Sequence, residues 1–132
     1  MLFLQQEVDI MSIKEEVVDC DGLSLKGKSY TCYFDVTLDI IGGKWKPIIL
    51  YHLGDKEVMR YSDFKRAIPK ITERMLTKQL RELEEDQIVS RKVYNEIPPK
   101  VEYRLTAKGT PLIYILNQLK DFGEIYYTEV KR

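Results

Sequence analysis

Apolar residues recur at helical spacing along most of the chain and at alternate positions in one short stretch. In TERMLTKQLRELEED (72–86), Leu76, Leu80 and Leu83 fall at i, i+4 and i+7, a stripe that must face a core. Thr72 is placed to cap this helix. Arg74, Thr77, Lys78 and Arg81 lie off the stripe: Arg74 and Leu76 are about 200° apart at roughly 100° per residue. One face is therefore greasy, and the other basic and hydrogen-bonding. Upstream, Phe34, Leu38 and Ile41 predict a first helix, stopped by Gly42-Gly43. Trp45, Ile48, Ile49 and Leu53 predict a second over 45–53, with Pro47 in its first turn and Gly54-Asp55 ending it. Val58-Met59-Arg60 is too short to be more than a small strand. Ser62 then reads as the N-cap of a helix through Ile68 that buries Phe64 and Ile68, with Pro69-Lys70-Ile71 breaking it.

Downstream of residue 87 the period changes to two. Val101, Tyr103 and Leu105 alternate with Glu102 and Arg104, so 88–95 and 101–106 read as strands of a hairpin with Glu96-Ile97-Pro98-Pro99-Lys100 at its tip. The two prolines stiffen that tip. A long helix, Pro111–Tyr127, closes the chain with a wide stripe that includes Leu112, Ile115, Leu119, Phe122 and Tyr126. The predicted class is α+β, mostly α: a winged helix-turn-helix with a two-stranded β wing over 30–110, then a C-terminal helix over 111–132. Residues 1–29 have no strong period and end in the turn-rich CDGLSLKGKS, which predicts an arm that is flexible or partly ordered.

Composition changes this picture little. The chain has 132 residues, 44% hydrophobic and 32% charged, which suits one folded domain plus an arm or a pairing element. No apolar run spans a bilayer, and the N-terminus lacks a basic region of the secretory kind. Two cysteines, Cys20 and Cys32, give no secreted disulfide framework, so a reducing cytoplasm is the expected compartment. Charge changes it more. The net is zero, but Lys44–Arg104 holds 14 basic and 10 acidic residues, whereas 1–29 hold three and six. Within Arg60–Arg81 there are seven basic residues against Asp63 and Glu73. The neutral total hides a basic patch that a phosphate backbone would feel.

That patch sits where a groove-reading element is expected. Thr72, Arg74, Thr77, Lys78 and Arg81 suit base edges in a major groove; Ser62 and Lys65 suit the phosphates that set register. Lys100 suits the minor groove, although a rigid surface loop explains the hairpin tip equally well. The C-terminal stripe is wider than a small core needs, which predicts a homodimer through Leu112, Ile115, Leu119, Phe122 and Tyr126; the rival reading is a helix that closes its own core. Cys32 stands before the first helix, whose N-terminal dipole favours a thiolate, but spacing alone favours an unremarkable thiol. His52, in the apolar run IILYHL, reads as packed or capping, and Glu82–Asp86 as a solvated acidic face. No metal-ligand cluster, phosphate loop or nucleophile–base spacing is present, so neither an enzyme nor a cofactor is expected. Double-stranded DNA is the expected partner. A winged helix used for protein interaction, or a DNA-binding regulator without a thiol switch, are the rival readings.

With these pieces laid out, the chain resembles the HxlR family of winged-helix transcriptional regulators, relatives of the MarR group. The resemblance runs from about Cys32 to Tyr126. It rests on Cys32, on Leu38-Asp39-Ile40-Ile41-Gly42-Gly43-Lys44-Trp45, on Ile49-Leu50 and Phe64, on 74–84, and on Tyr94 with Val101-Glu102-Tyr103. It implies a homodimer with the basic helix in the major groove and the first and last helices at the interface. It also implies that Cys32 matches the cysteine with which some members sense quinones, aldehydes or oxidants. Tyr33 replaces the proline that often follows that cysteine, and the arm before it is longer than is common.

Overall fold

The structure, a computed structural model, describes residues 22–131, and two compact units divide between Asp39 and Ile40. The readings for residues 1–21, Cys20 among them, lie outside the described residues. In the first unit, β1 (Ser24–Leu25) and β2 (Lys28–Ser29) pair antiparallel. Their connection is Lys26 (φ 51°) and Gly27 (φ 81°), the doubly left-handed turn that matches strand twist. Helix α1 (Tyr33–Ile41) follows, and Tyr30 donates to Asp39 Oδ2 at 2.7 Å, tying the hairpin to it. Of the triplet that predicts α1, only Ile41 is buried; Phe34 and Leu38 are exposed.

The second unit comprises α2 (Trp45–Lys56), α3 (Tyr61–Ala67), α4 (Glu73–Glu85), β3 (Val89–Tyr94), β4 (Lys100–Leu105) and α5 (Leu112–Val130). Leu50 and Leu53 of α2, Phe64 of α3, and Leu76 and Leu83 of α4 are fully buried in one cluster, joined by Met59, by Val89 at the start of β3 and by Leu116 from α5. Burying each such side chain contributes roughly 1.5–3 kcal/mol, so this shared core locks the helix-turn-helix to its supports.

Two expectations need correction. Helix α2 does not end at Gly54; it runs on to Lys56 and stops at Glu57, where φ is 71° and the amide donates to the Leu53 carbonyl at 2.8 Å. Gly54 serves packing instead, since a Cβ there would stand 3.1 Å from Ile113 Cγ1 beside α5. Ser62 is not the N-cap of α3 either. The cap is Arg60, two residues earlier, and the Asp63 carboxylate accepts the Arg60 N–H at 2.8 Å. By contrast Thr72 caps α4 as its position predicts, accepting from the Met75 amide at 3.1 Å. The wing pairs from Val89↔Leu105 to Tyr94↔Lys100. Met59 adds a one-residue third strand, exchanging backbone bonds with Tyr103 at 3.1 and 2.8 Å.

Candidate DNA-binding surface

The leucine stripe of α4 points into the core, so its opposite face is presented outward. Arg74, Lys78 and Arg81 are exposed there. None of the three is ion-paired among the described residues. The helix is held from two sides. Tyr61 of α3 donates its hydroxyl to the Glu73 carbonyl at 2.9 Å and lies 3.2 Å from Thr77 Oγ1. On the other side Lys46 of α2, only 8% exposed, places its ammonium 2.8 Å from Glu82 Oε1. A buried ammonium needs such a partner, because leaving water without one is costly.

The residues expected to touch DNA therefore divide. Arg74, Lys78 and Arg81 share one open face, with Thr72 exposed at its start. Thr77 is half-buried with its hydroxyl against Tyr61, and Lys65 donates to the Ile71 carbonyl at 2.5 Å, bracing the turn between α3 and α4. Ser62 is exposed in the first turn of α3. Lys100 stands at the base of the loop, paired with Tyr94, while Ile97 is the exposed apex. The Lys100 ammonium lies 4.7 Å from the Tyr94 ring centre and 3.5 Å from Glu102 Oε2.

Glu102 organises the wing. It accepts from the Tyr94 hydroxyl at 2.7 Å and also meets Arg104 at 3.5 Å. The Tyr94 hydrogen bond holds its carboxyl below the ordinary glutamate value, burial opposes this, and the Lys100 charge adds to it. Burial pushes the Tyr103 phenol up, against the pull of Arg91. The acidic run after the leucine stripe is not merely solvated, since Glu82 holds Lys46 and Glu84 meets Arg91 Nε at 3.2 Å. Sequence reasoning missed Tyr61, Lys46 and Arg91, whose partners lie 7 to 36 positions away with no local period to mark them.

Elsewhere, Cys32 is half-buried just ahead of α1, where its carbonyl accepts the Val36 amide at 3.3 Å and Asp35 accepts the Thr31 amide at 2.9 Å. His52 is half-buried and edge-on to Tyr51. Along α5, Ile115, Leu119, Phe122 and Tyr126 are exposed, whereas Leu112 packs against the chain's own core. Among the described residues no group of three His, Cys, Asp or Glu side chains could hold a metal, and no helix is long and apolar enough to cross a membrane.

A family model described as HxlR-like helix-turn-helix matches residues 40–131, the whole span from the end of α1 to α5. The chain belongs to the HxlR family. Among its relatives, the uncharacterized HTH-type transcriptional regulator YdeP of Bacillus subtilis (strain 168) is 52% identical over 101 residues, covering 76% of this chain and 78% of the relative. The redox regulator HypR in its oxidized form is 55% identical, with a TM-score of 0.68 over 70% of this chain and 95% of that one. Its reduced form gives 50% identity and a TM-score of 0.70 over 75% and 97%. This HxlR member is a transcriptional regulator of the MarR-like winged-helix type, a DNA-binding role without a catalytic step. Helix α4 is the second helix of that helix-turn-helix, and Arg74, Lys78 and Arg81 lie on its outward face.

Proposed function

We propose that two copies of this regulator bind one pseudo-palindromic promoter site in the cytoplasm, each setting α4 into a major groove. The observation that carries this reading is the exposed, unpaired basic face of α4 on a helix pinned by Tyr61 and Lys46. Arg74 and Lys78 bond base edges there; Arg81, Lys65 and Ser62 meet the flanking phosphates, with Thr72 and the Thr77 methyl lining the same face. The Lys100 end of the wing lies along the backbone beside the adjacent minor groove. Pairing runs through the exposed side chains of α5, chiefly Ile115, Leu119, Phe122 and Tyr126, with Leu112 at the root of the helix. A single winged helix reads only half a site, and such dimers match palindromic operators.

The activity responds to oxidants or electrophiles through Cys32. Two observations support that: Cys32 is half-buried at the start of α1, and the similar regulator HypR is a redox regulator solved in both states. Fluorescence anisotropy against the duplex upstream of the protein's own gene, with a scrambled duplex as control, tests both parts. Selective binding with a steep log–log salt slope supports DNA readout; a flat slope turns the reading toward a protein partner. Diamide treatment of wild type and Cys32→Ser tests the switch, and an equal response in both removes Cys32 from it.

A further inference from the structure

Between α4 and the wing lies a groove of about 370 Å³ lined by Thr77, Leu80, Arg81, Glu84 and Glu85 of α4 and by Arg91 and Tyr103 of the wing. Its construction follows from two periods. On α4, residues 77, 81 and 84 fall at i, i+4 and i+7, a second ridge beside the basic face. On the wing, Arg91 stands directly opposite Tyr103 in the antiparallel register, so both side chains emerge on one face of the sheet. The two surfaces bring the guanidiniums of Arg81 and Arg91 to a single cleft, and the Tyr103 phenol feels the charges of both together with Glu84.

One of these cations is already engaged. Arg91 Nε is 3.2 Å from Glu84 Oε2, with the two side chains 46% and 40% exposed. So exposed a pair is weak in water and readily exchanged. A guanidinium presents a planar fork that fits a phosphate as well as a carboxylate. Resting on the DNA-binding reading above, the geometry points to a DNA-phosphate site in this cleft, formed by Arg81 and Arg91, in which Glu84 holds Arg91 in place of the phosphate until DNA arrives. Binding then exchanges one anion for another on Arg91, so the arginine is pre-set in the cleft before DNA meets it. The phosphate belongs to the strand that runs between the groove read by α4 and the groove flanked by the wing. Every duplex offers it, so the site adds affinity without sequence preference.

A double-mutant cycle tests this, with wild type, Arg91→Ala, Glu84→Gln and the double variant titrated against the upstream and scrambled duplexes over a range of salt. Arg91→Ala is expected to weaken both duplexes by the same factor and to lower the salt slope by about 1. Glu84→Gln is expected to tighten both, and to lose that effect when Arg91 is alanine. Arg91→Lys, which keeps the charge without the fork, should retain the slope and recover part of the affinity, and thermal unfolding checks that each variant folds. An unchanged slope in Arg91→Ala overturns the proposal. So does Glu84→Gln tightening binding equally in both backgrounds, which is bulk repulsion between a carboxylate and DNA. A flat salt dependence in wild type is a different result, since it defeats the DNA-binding reading itself.

Discussion

Helices α4 and α5 place their apolar residues in opposite ways. In α4 all three stripe leucines are at most 2% exposed, and what reaches water is charge. In α5 Leu116 is the one buried residue, and Phe122 near its middle is 70% exposed. The first helix is stabilised by its own domain and presents Arg74, Lys78 and Arg81 outward among glutamates, and those three cations suit a polyanion. The second is anchored by its first turns and offers aromatic and aliphatic side chains, which suits a protein surface. One chain thus presents two surfaces of opposite chemistry, and the chemistry of each follows from which side of the helix the core takes.

This contrast can be broken at several points. Leu80→Ala should cost about 2–5 kcal/mol in urea unfolding, because a cavity opens in the core beneath α4. Leu119→Ala should shift unfolding of the dilute protein by less than about 0.5 kcal/mol, yet weaken self-association in sedimentation equilibrium. A comparable stability loss at both positions would mean that α5 is closed by its own chain, and the contrast would fail. Glu82→Leu leaves the Lys46 ammonium buried and alone, at a cost of about 3 kcal/mol. The double variant Lys46→Met/Glu82→Leu should recover most of it, since an apolar pair substitutes well for a buried ion pair. Arg74→Ala should weaken binding to the selective duplex by about 1–3 kcal/mol while sparing the scrambled one; equal losses would make Arg74 a phosphate contact instead.

The smallest expected effect is in the wing. Glu102 has its carboxyl lowered in the folded state, chiefly by the Tyr94 hydroxyl. Its contribution is therefore fully present above the ordinary glutamate range and lost as pH falls through the folded value. Hydrogen exchange of the β3–β4 amides should show that loosening in acid, and Glu102→Gln should flatten the dependence. Persistence of the same acid response in Glu102→Gln would assign it to another carboxyl.

What was legible in the sequence was local. Thr72 places the start of α4 to the residue and the leucine stripe gives its buried face, because both signals act within one or two turns. Strand alternation places β4 within one residue of its start and end. Signals with a second meaning misled. Gly54 resembles a helix stop, but the structure uses its missing Cβ to admit Ile113. Ser62 is a favoured cap by type, but the helix opens at Tyr61, and the Asp63 carboxylate there accepts the N–H of the cap residue Arg60. Lys100 follows the prolines in sequence, yet pairing with Tyr94 pulls it to the base of the loop. The rest was invisible for another reason: Lys46 and Glu82 are 36 positions apart, and no periodicity marks a contact of that range.

Lys46 and Gly54 also belong to one element. The first turn of α2 grips α4 through an ion pair, and its last turn lies against the start of α5 through the gap a side chain would have filled. About 12 Å of helix separates the two, at 1.5 Å per residue. Helix α2 is in effect a short crossbar from which α4 and α5 both hang. On the dimer proposed above, a tilt of that bar would change the attitude of α4 and the direction of α5 together, so that one part would set both the fit to a half-site and the distance to the next.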